Sequence, residues 1–353
     1  MGIQITGIGS FIPSKIASNK GFENHDFYDQ DGSPFGHENE VIIKKFKAIT
    51  GIEERRYIKD KLVTSEIAHF AAEKAIDDAD IDKETLDYII VAHNYGDVKH
   101  GTRQSDTVPS LASRVKHLLR IKNPSCVAYD VLFGCPGWVE GMIQAQAFMK
   151  AGMAKKCLVV GAEALSRVID QHDRDSMIYS DGAGAVVLEI NESSESDILG
   201  HCSATYTYDE AHFIYFGESN NHRLNGANRY IKMYGRKIYE FALSNVPKAM
   251  KDCLDQSGVG IEEVKKVFIH QANEKMDEAI IARFYKLYGI EPPENVMPMT
   301  IDKLGNSSVA TVPTVYDLVV KGKLTGHEVS KGDIVIFASV GAGMNINAIV
   351  YRI

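Results

Sequence analysis

No stretch of the 353-residue chain approaches the roughly 18 consecutive apolar residues of a membrane-spanning helix, and its start shows no basic segment followed by an apolar core. Neither a membrane protein nor a secreted one is expected. Cysteine is scarce: Cys126, Cys135, Cys157, Cys202 and Cys253 are an odd, scattered set without a C-x-x-C pair. That spacing suits neither a disulfide framework nor a zinc site, so a reducing, cytoplasmic setting is expected and no metal centre. Positive charge is also short, 39 Lys and Arg against 47 Asp and Glu, for a net charge of −8. General binding to nucleic acid or to anionic membranes needs a cationic surface and is not expected.

What is present is ordinary globular composition, 44% hydrophobic and 24% charged, in a chain long enough for two or three domains or one large two-part architecture. Met1-Gly2 with Thr6 formally fits an N-myristoylation pattern, but "GIQITGIGSFIP" reads better as a first strand running into a glycine turn.

Helix-like and strand-like segments alternate from end to end, which predicts an α/β fold. "TSEIAHFAAEKAIDDA" carries Ile67, Phe70, Ala71 and Ala75 at helical spacing, and "LDYIIVAH" has the doubly apolar character of a buried parallel strand. A helix is predicted through "PSLASRVKHLLR", a strand in "CVAYDVL", a helix in "PGWVEGMIQAQAFMKAG", then strands in "KCLVVGAE" and "DGAGAVVLEI". The polar segment 191–197, "NESSESD", is the candidate junction between a first half, 1–190, and a second, 198–353. The second half replays the first. At an offset of 178 residues, Leu86, Ile89, Ile90 and Val91 fall on Val264, Val267, Phe268 and Ile269; near 177, "CLVVGAE" falls on "IVIFASV"; at 171, Gly134-Cys135 falls on Gly305-Asn306. Three matches in the same order point to an internal duplication.

In "VAYDVLFGCPGWVEGM" an apolar strand ends at a turn permitted by Gly134, Cys135 follows, and Pro136 occupies the first helical position. A thiol at a helix start meets partial positive charge and free N–H groups that favour the thiolate nucleophile; the plainer alternative is a small buried hydrophobe. "VFIHQANEKM" places His270 where a buried strand ends, a position suited to ligand contact or to a structural hydrogen bond. In "DKLGNSSVATVPTVYDLV", Asn306 by itself reads as a helix N-cap, but the duplication makes it the counterpart of Cys135 and aims both at one shared centre. Gly341 and Gly343 in "ASVGAGMNINAIV" could let backbone N–H groups approach a developing oxyanion, whereas Gly182 and Gly184 read as a strand entry.

These segments, together with "ITGIGSFIP", "TGIEERRY", "GCPGW", "SDGAGAVVLE", "HQAN", "LGNSS" and "GAGMNINA", resemble the β-ketoacyl-acyl-carrier-protein synthase III group of thiolase-fold condensing enzymes across nearly the whole chain. The resemblance implies a five-layered αβαβα fold of two pseudo-symmetric halves in a homodimer. It implies Cys135 as acyl acceptor, His270 and Asn306 as donors to the extender thioester, and an oxyanion hole from the Cys135 N–H and the Gly341-Ala342-Gly343 loop. It implies acyl-coenzyme A or acyl-carrier-protein and malonyl-carrier-protein thioesters as substrates, with no metal and no resident cofactor. Arg167 in "EALSRVID" matches a coenzyme A contact of the family.

Three departures accompany it. Where the family clamps adenine with Trp and Arg, this chain has Lys45 and Ile49. The segment "GFENHDFYDQDGSPFGHENE" is longer than usual and reads as a solvated loop or, alternatively, a cover over the substrate mouth. "GAGMNINA" lacks the aromatic residues common near the family's glycine loop. An acidic carrier protein needs a local cationic landing site, for which Arg229, Lys232, Arg236, Lys237 and Lys275 are the candidates, the plainer reading being a solvated helix face. The expected activity is decarboxylative Claisen condensation in fatty acid or related lipid or polyketide synthesis. The alternatives are acyl transfer or condensation of two preformed chains without decarboxylation, and a non-catalytic partner of a heterodimer.

Overall fold

The computed structural model describes residues 2–224 and 226–353. Its first half runs β1 (Gly2–Phe11), β2 (Lys15–Ser18), α1 (Asn39–Thr50), β3 (Glu54–Tyr57), α2 (Thr64–Ala79), β4 (Tyr88–Ala92), α3 (Leu111–Leu118), β5 (Val127–Val131), α4 (Gly137–Lys150), β6 (Lys156–Ala164) and β7 (Asp181–Asn191). The second runs β8 (Asp197–Thr205), β9 (Ile214–Gly217), β10 (Tyr230–Met233), α5 (Gly235–Ser257), β11 (Val264–Ile269), α6 (Glu274–Lys286), α7 (Ile301–Leu304), α8 (Thr311–Val320), β12 (Ile334–Gly341) and β13 (Asn345–Arg352). Gly2 lies buried in β1, paired with Asn191, in keeping with the strand reading of the N-terminal motif.

Strands apolar on both faces must be covered on both faces, and two large sheets form beside the two-stranded pairs β2–β3 and β9–β10. The first has the order β1-β7-β6-β4-β5 and the second β11-β12-β13-β8. β4 runs parallel to β6, as β11 does to β12; β6–β7 and β7–β1 are antiparallel, as are β12–β13 and β13–β8. The duplication therefore extends to strand order and direction. Pairing of Ile90 with Val159 and of Phe268 with Phe337 sets one offset of 178 for both strands, correcting the 177 read from composition by one residue.

α2 and α3 cover the outer face of the first sheet, α5 and α6 the outer face of the second. α4 and α8 lie between, touching both sheets, which completes the αβαβα sandwich. Trp138 of α4, 1% exposed, meets Phe337 of β12 edge-on at 5.6 Å between ring centres, and Phe337 meets Tyr316 of α8 at 5.0 Å. Burial of each such side chain contributes about 2–3 kcal/mol, so this aromatic stack welds the two sheets through the central helices. Among the described residues no helix is long and apolar enough to cross a membrane.

Residues 21–40 are largely exposed, as their polarity favours, but they are anchored to the body of the protein. Phe22 and Phe27 are buried with Ile42 and Met177, the Tyr28 N–H donates to the His172 carbonyl at 2.9 Å, and Asn39 donates to the Glu23 and His25 carbonyls. Aromatic residues spaced irregularly through an acidic segment are enough to anchor it, and no periodicity announces that.

Candidate active site

The turn between β5 and α4 sets Cys135. Gly134 takes φ of +66°, a conformation that L side chains rarely adopt, and a Cβ there would lie 2.7 Å from the Ala342 N and O atoms. From the other side, a Cβ on Gly341 would lie 2.5 Å from the Cys135 N. Two glycines from the two halves thus allow backbone to meet backbone around the sulfur. Asn347 donates to the Pro136 carbonyl at 3.0 Å, and Asn345 donates to the Ala342 carbonyl at 2.9 Å, locking the turn against the glycine loop.

Cys135, His270, Asn306, Gly341 and Ala342 line one cavity of about 270 Å³, so the residues predicted from separate motifs are brought together. His270 follows β11, its backbone N–H donating to the Ala338 carbonyl, and is 3% exposed. Burial pulls its imidazole down to about 4, with the Ser308 backbone acting in the opposite direction, so the ring is neutral at neutral pH. Gly305 mirrors Gly134 with φ of +61°. Asn306 is not the N-cap of α8, which begins five residues later; its Oδ1 accepts the Ser308 N–H at 2.8 Å, and its backbone pairs with Ile178 and Ser180. That leaves the amide nitrogen as the group able to serve the cavity.

The thiol departs from expectation. Burial pushes Cys135 up to about 11, the Ser308 hydroxyl bond at 3.3 Å lowers it, and the Glu163 charge raises it. Desolvation is the largest of these influences, and the resting group is a neutral thiol.

Arg167 requires correction. It is 5% exposed, and its Nη2 donates to the carbonyls of Lys59, Leu62 and Asp60 at 2.9, 3.3 and 3.4 Å, bracing a turn rather than facing the cavity. Lys232 is corrected likewise: at 2% exposure it binds Asp170 at 2.5 Å, Asp173 at 3.0 Å and the Asn220 Oδ1 at 2.8 Å, which removes it from any landing surface. Arg229 pairs with Glu218 at 3.1 Å. Arg236, Lys237 and Lys275 are exposed, Arg236 paired with Glu240 and Lys237 resting on Phe213 and Tyr234.

Sequence reasoning missed the hairpin of β9 and β10. Ile214, Tyr215, Phe216, Ile231 and Met233 wall the cavity, restoring the aromatic character absent from the glycine loop. The short apolar run Ile214-Tyr215-Phe216 ahead of Gly217 was the available signal. An outer cavity of about 450 Å³ adjoins the inner one through shared Ile178, Met233, Ile238, Ala272 and Met276. Phe35 from the 21–40 segment lines it, as do Lys45 and Ile49 of α1, so that segment does reach the mouth. Arg174, over the Phe35 ring at 4.4 Å, and Arg236 line it too.

Solved structures share this architecture over the full chain. A 3-oxoacyl-[acyl-carrier-protein] synthase III from Aquifex aeolicus is similar with a TM-score of 0.80 and 29% identity, covering 100% of both chains; one from Thermus thermophilus has a TM-score of 0.81 and 27% identity, covering 100% of this chain and 99% of that one. The fold defines a thiolase-like acyltransferase. A curated β-ketoacyl-[acyl-carrier-protein] synthase III from Ehrlichia canis is 31% identical over 99% of this chain and 98% of its own length, and the Aquifex aeolicus enzyme is 31% identical over 100% of both. The family models for 3-oxoacyl-[acyl-carrier-protein] synthase III and its C-terminal region match residues 129–206 and 254–353. The chain belongs to the β-ketoacyl-acyl-carrier-protein synthase III family.

Proposed function

We propose that the chain loads an acyl group on Cys135 and condenses it with a malonyl thioester carried on acyl carrier protein, releasing carbon dioxide, in fatty acid synthesis. The observation that carries this reading is the backbone contact of Gly134 and Gly341 around Cys135, inside a cavity that also holds His270 and Asn306. The Cys135 sulfur attacks the primer thioester, its proton leaves with the departing thiol, and the Cys135 and Ala342 N–H groups receive the oxyanion. The apolar cavity shelters the acyl chain. His270, neutral, and the Asn306 amide then hydrogen-bond the malonyl thioester carbonyl. As carbon dioxide leaves, they stabilise the enolate, which attacks the acyl carbon and frees the thiolate. This chemistry asks for no metal or resident cofactor.

We further propose a boundary at 191–197 between halves 1–190 and 198–353, a homodimer in the cytoplasm, and carrier docking at Arg236, Lys237 and Lys275. Condensation without decarboxylation is not favoured by the full-length relatives, which carry the synthase name. Two experiments test the reading. Intact-mass analysis after incubation with acyl-coenzyme A and acyl-carrier thioesters should show an adduct that Cys135→Ala abolishes; an adduct surviving that change overturns the assignment. Release of carbon dioxide from malonyl-carrier thioester separates decarboxylative condensation from plain acyl transfer.

A further inference from the structure

Behind Cys135 lies a set of polar residues that the proposed mechanism does not use. Asn94 follows β4 and Glu163 sits near the end of β6; Ser308 precedes α8. Glu163 is 1% exposed, and a carboxyl group placed there without a cation in contact is costly. The titratable groups facing it are His93, Tyr95 and Cys135. His93 is already engaged, its Nε2 with Asp130 at 2.9 Å and its Nδ1 with the Gly96 N–H at 3.0 Å. Glu163 instead accepts from the Asn94 backbone N–H at 2.9 Å and from the Asn94 Nδ2 at 2.6 Å. The same Nδ2 donates to the Ser308 Oγ at 3.2 Å, and that hydroxyl donates to the Cys135 Sγ at 3.3 Å. Ser308 holds φ of +54°, a strained conformation for a residue with a side chain, stabilised by the Asn306 Oδ1.

The direction of each bond follows from the one before. A carboxyl oxygen beside the Asn94 amide selects the NH₂ group to face it. Because an Nδ2 hydrogen fills one lone pair of the Ser308 oxygen, the hydroxyl proton cannot point back to Asn94 and is available to the sulfur 3.3 Å away. We propose that Glu163 and Asn94 are positioning residues in a one-way hydrogen-bond chain that keeps the Ser308 hydroxyl proton aimed at the Cys135 sulfur, stabilising its thiolate when it forms and when it departs. Glu163 also carries an opposing influence. Burial raises it to about 7, so above that pH its charge faces the thiolate and works against it.

This inference rests on Cys135 being the acyl acceptor, but its test needs no acyl transfer. Carbamidomethylation of Cys135 by iodoacetamide, followed by peptide mass mapping of the full-length protein from pH 6 to 10, reads the thiolate fraction directly. Ser308→Ala should slow labelling about tenfold at every pH, the effect of losing one charge-assisted hydrogen bond, and Ser308→Thr should restore it. Asn94→Ala should slow it in the same direction by less, and it reads the chain independently if Ser308→Ala folds poorly. Glu163→Gln should speed labelling above pH 7 and leave it unchanged at pH 6. Superimposed profiles for wild type, Ser308→Ala and Asn94→Ala overturn the chain, whatever thioesters load Cys135. Shifted profiles without any acyl adduct leave the chain standing and remove the functional reading.

Discussion

Acidification should destabilise this protein through His270, by an amount the burial of that ring sets. The imidazole is 3% exposed, its Nδ1 has no hydrogen-bond partner, and burial lowers it from 6.5 to about 4. In the unfolded chain the ring takes a proton as pH falls through 6.5; in the folded protein it resists until about 4. Stability is therefore fully present above 6.5 and lost as pH drops toward 4. At about 1.36 kcal/mol for each pH unit of that gap, the loss amounts to about 3 kcal/mol. That is a large part of the 5–15 kcal/mol typical of a folded protein. Urea unfolding at pH 7, 6, 5 and 4 can be followed by the fluorescence of Trp138, the single tryptophan, which sits between the two sheets. Glu163, held up to about 7, and Asp175 and Asp181, held up to about 6, titrate in the opposite sense, so the comparison must be with His270→Gln, in which their contributions recur. The stability of wild type relative to His270→Gln should fall by about 3 kcal/mol between pH 7 and 4. Parallel curves for the two proteins would refute the argument.

Lys232→Met should cost about 3–5 kcal/mol by leaving Asp170 and Asp173 buried without their cation, lowering the melting temperature and loosening the hairpin that walls the cavity; an unchanged melting curve would contradict the network. Gly341→Ala places a methyl group 2.5 Å from the Cys135 N, and should slow acyl-enzyme formation in mass-spectrometric time courses by about 10²–10³, the effect of losing one oxyanion donor. Arg236→Glu with Lys275→Glu should raise KM for carrier-bound substrate about tenfold while iodoacetamide labelling of Cys135 stays unchanged; an equal loss in both would place these residues in folding rather than docking.

The fold was legible because its signals are local and repeated. The doubly apolar run at 88–92 and the shorter apolar stretch Val267-Phe268-Ile269 mark buried strands, and the common offset discloses their equivalent places in two sheets. Cys135, His270 and Asn306 were legible because each follows a buried strand or a glycine turn. The rest depends on three-dimensional burial. Nothing near Arg167 in sequence shows that the 59–62 turn captures its guanidinium, and Lys232 looks like its exposed basic neighbours until Asp170 and Asp173 close on it. The thiol of Cys135 gives the same lesson: a helix start argues for a lowered value, but the surrounding cavity decides.

The inner and outer cavities meet at Ile178, Met233, Ile238, Ala272 and Met276, and this imposes an order of events in time. Under the proposed chemistry, both thioesters must bring their reacting carbon to the one cavity that holds Cys135, His270 and Asn306, so the first carrier must leave before the extender arrives. Two carriers cannot wait in line together. Double-reciprocal plots should then be parallel, and an excess of either carrier should slow the turnover of the other.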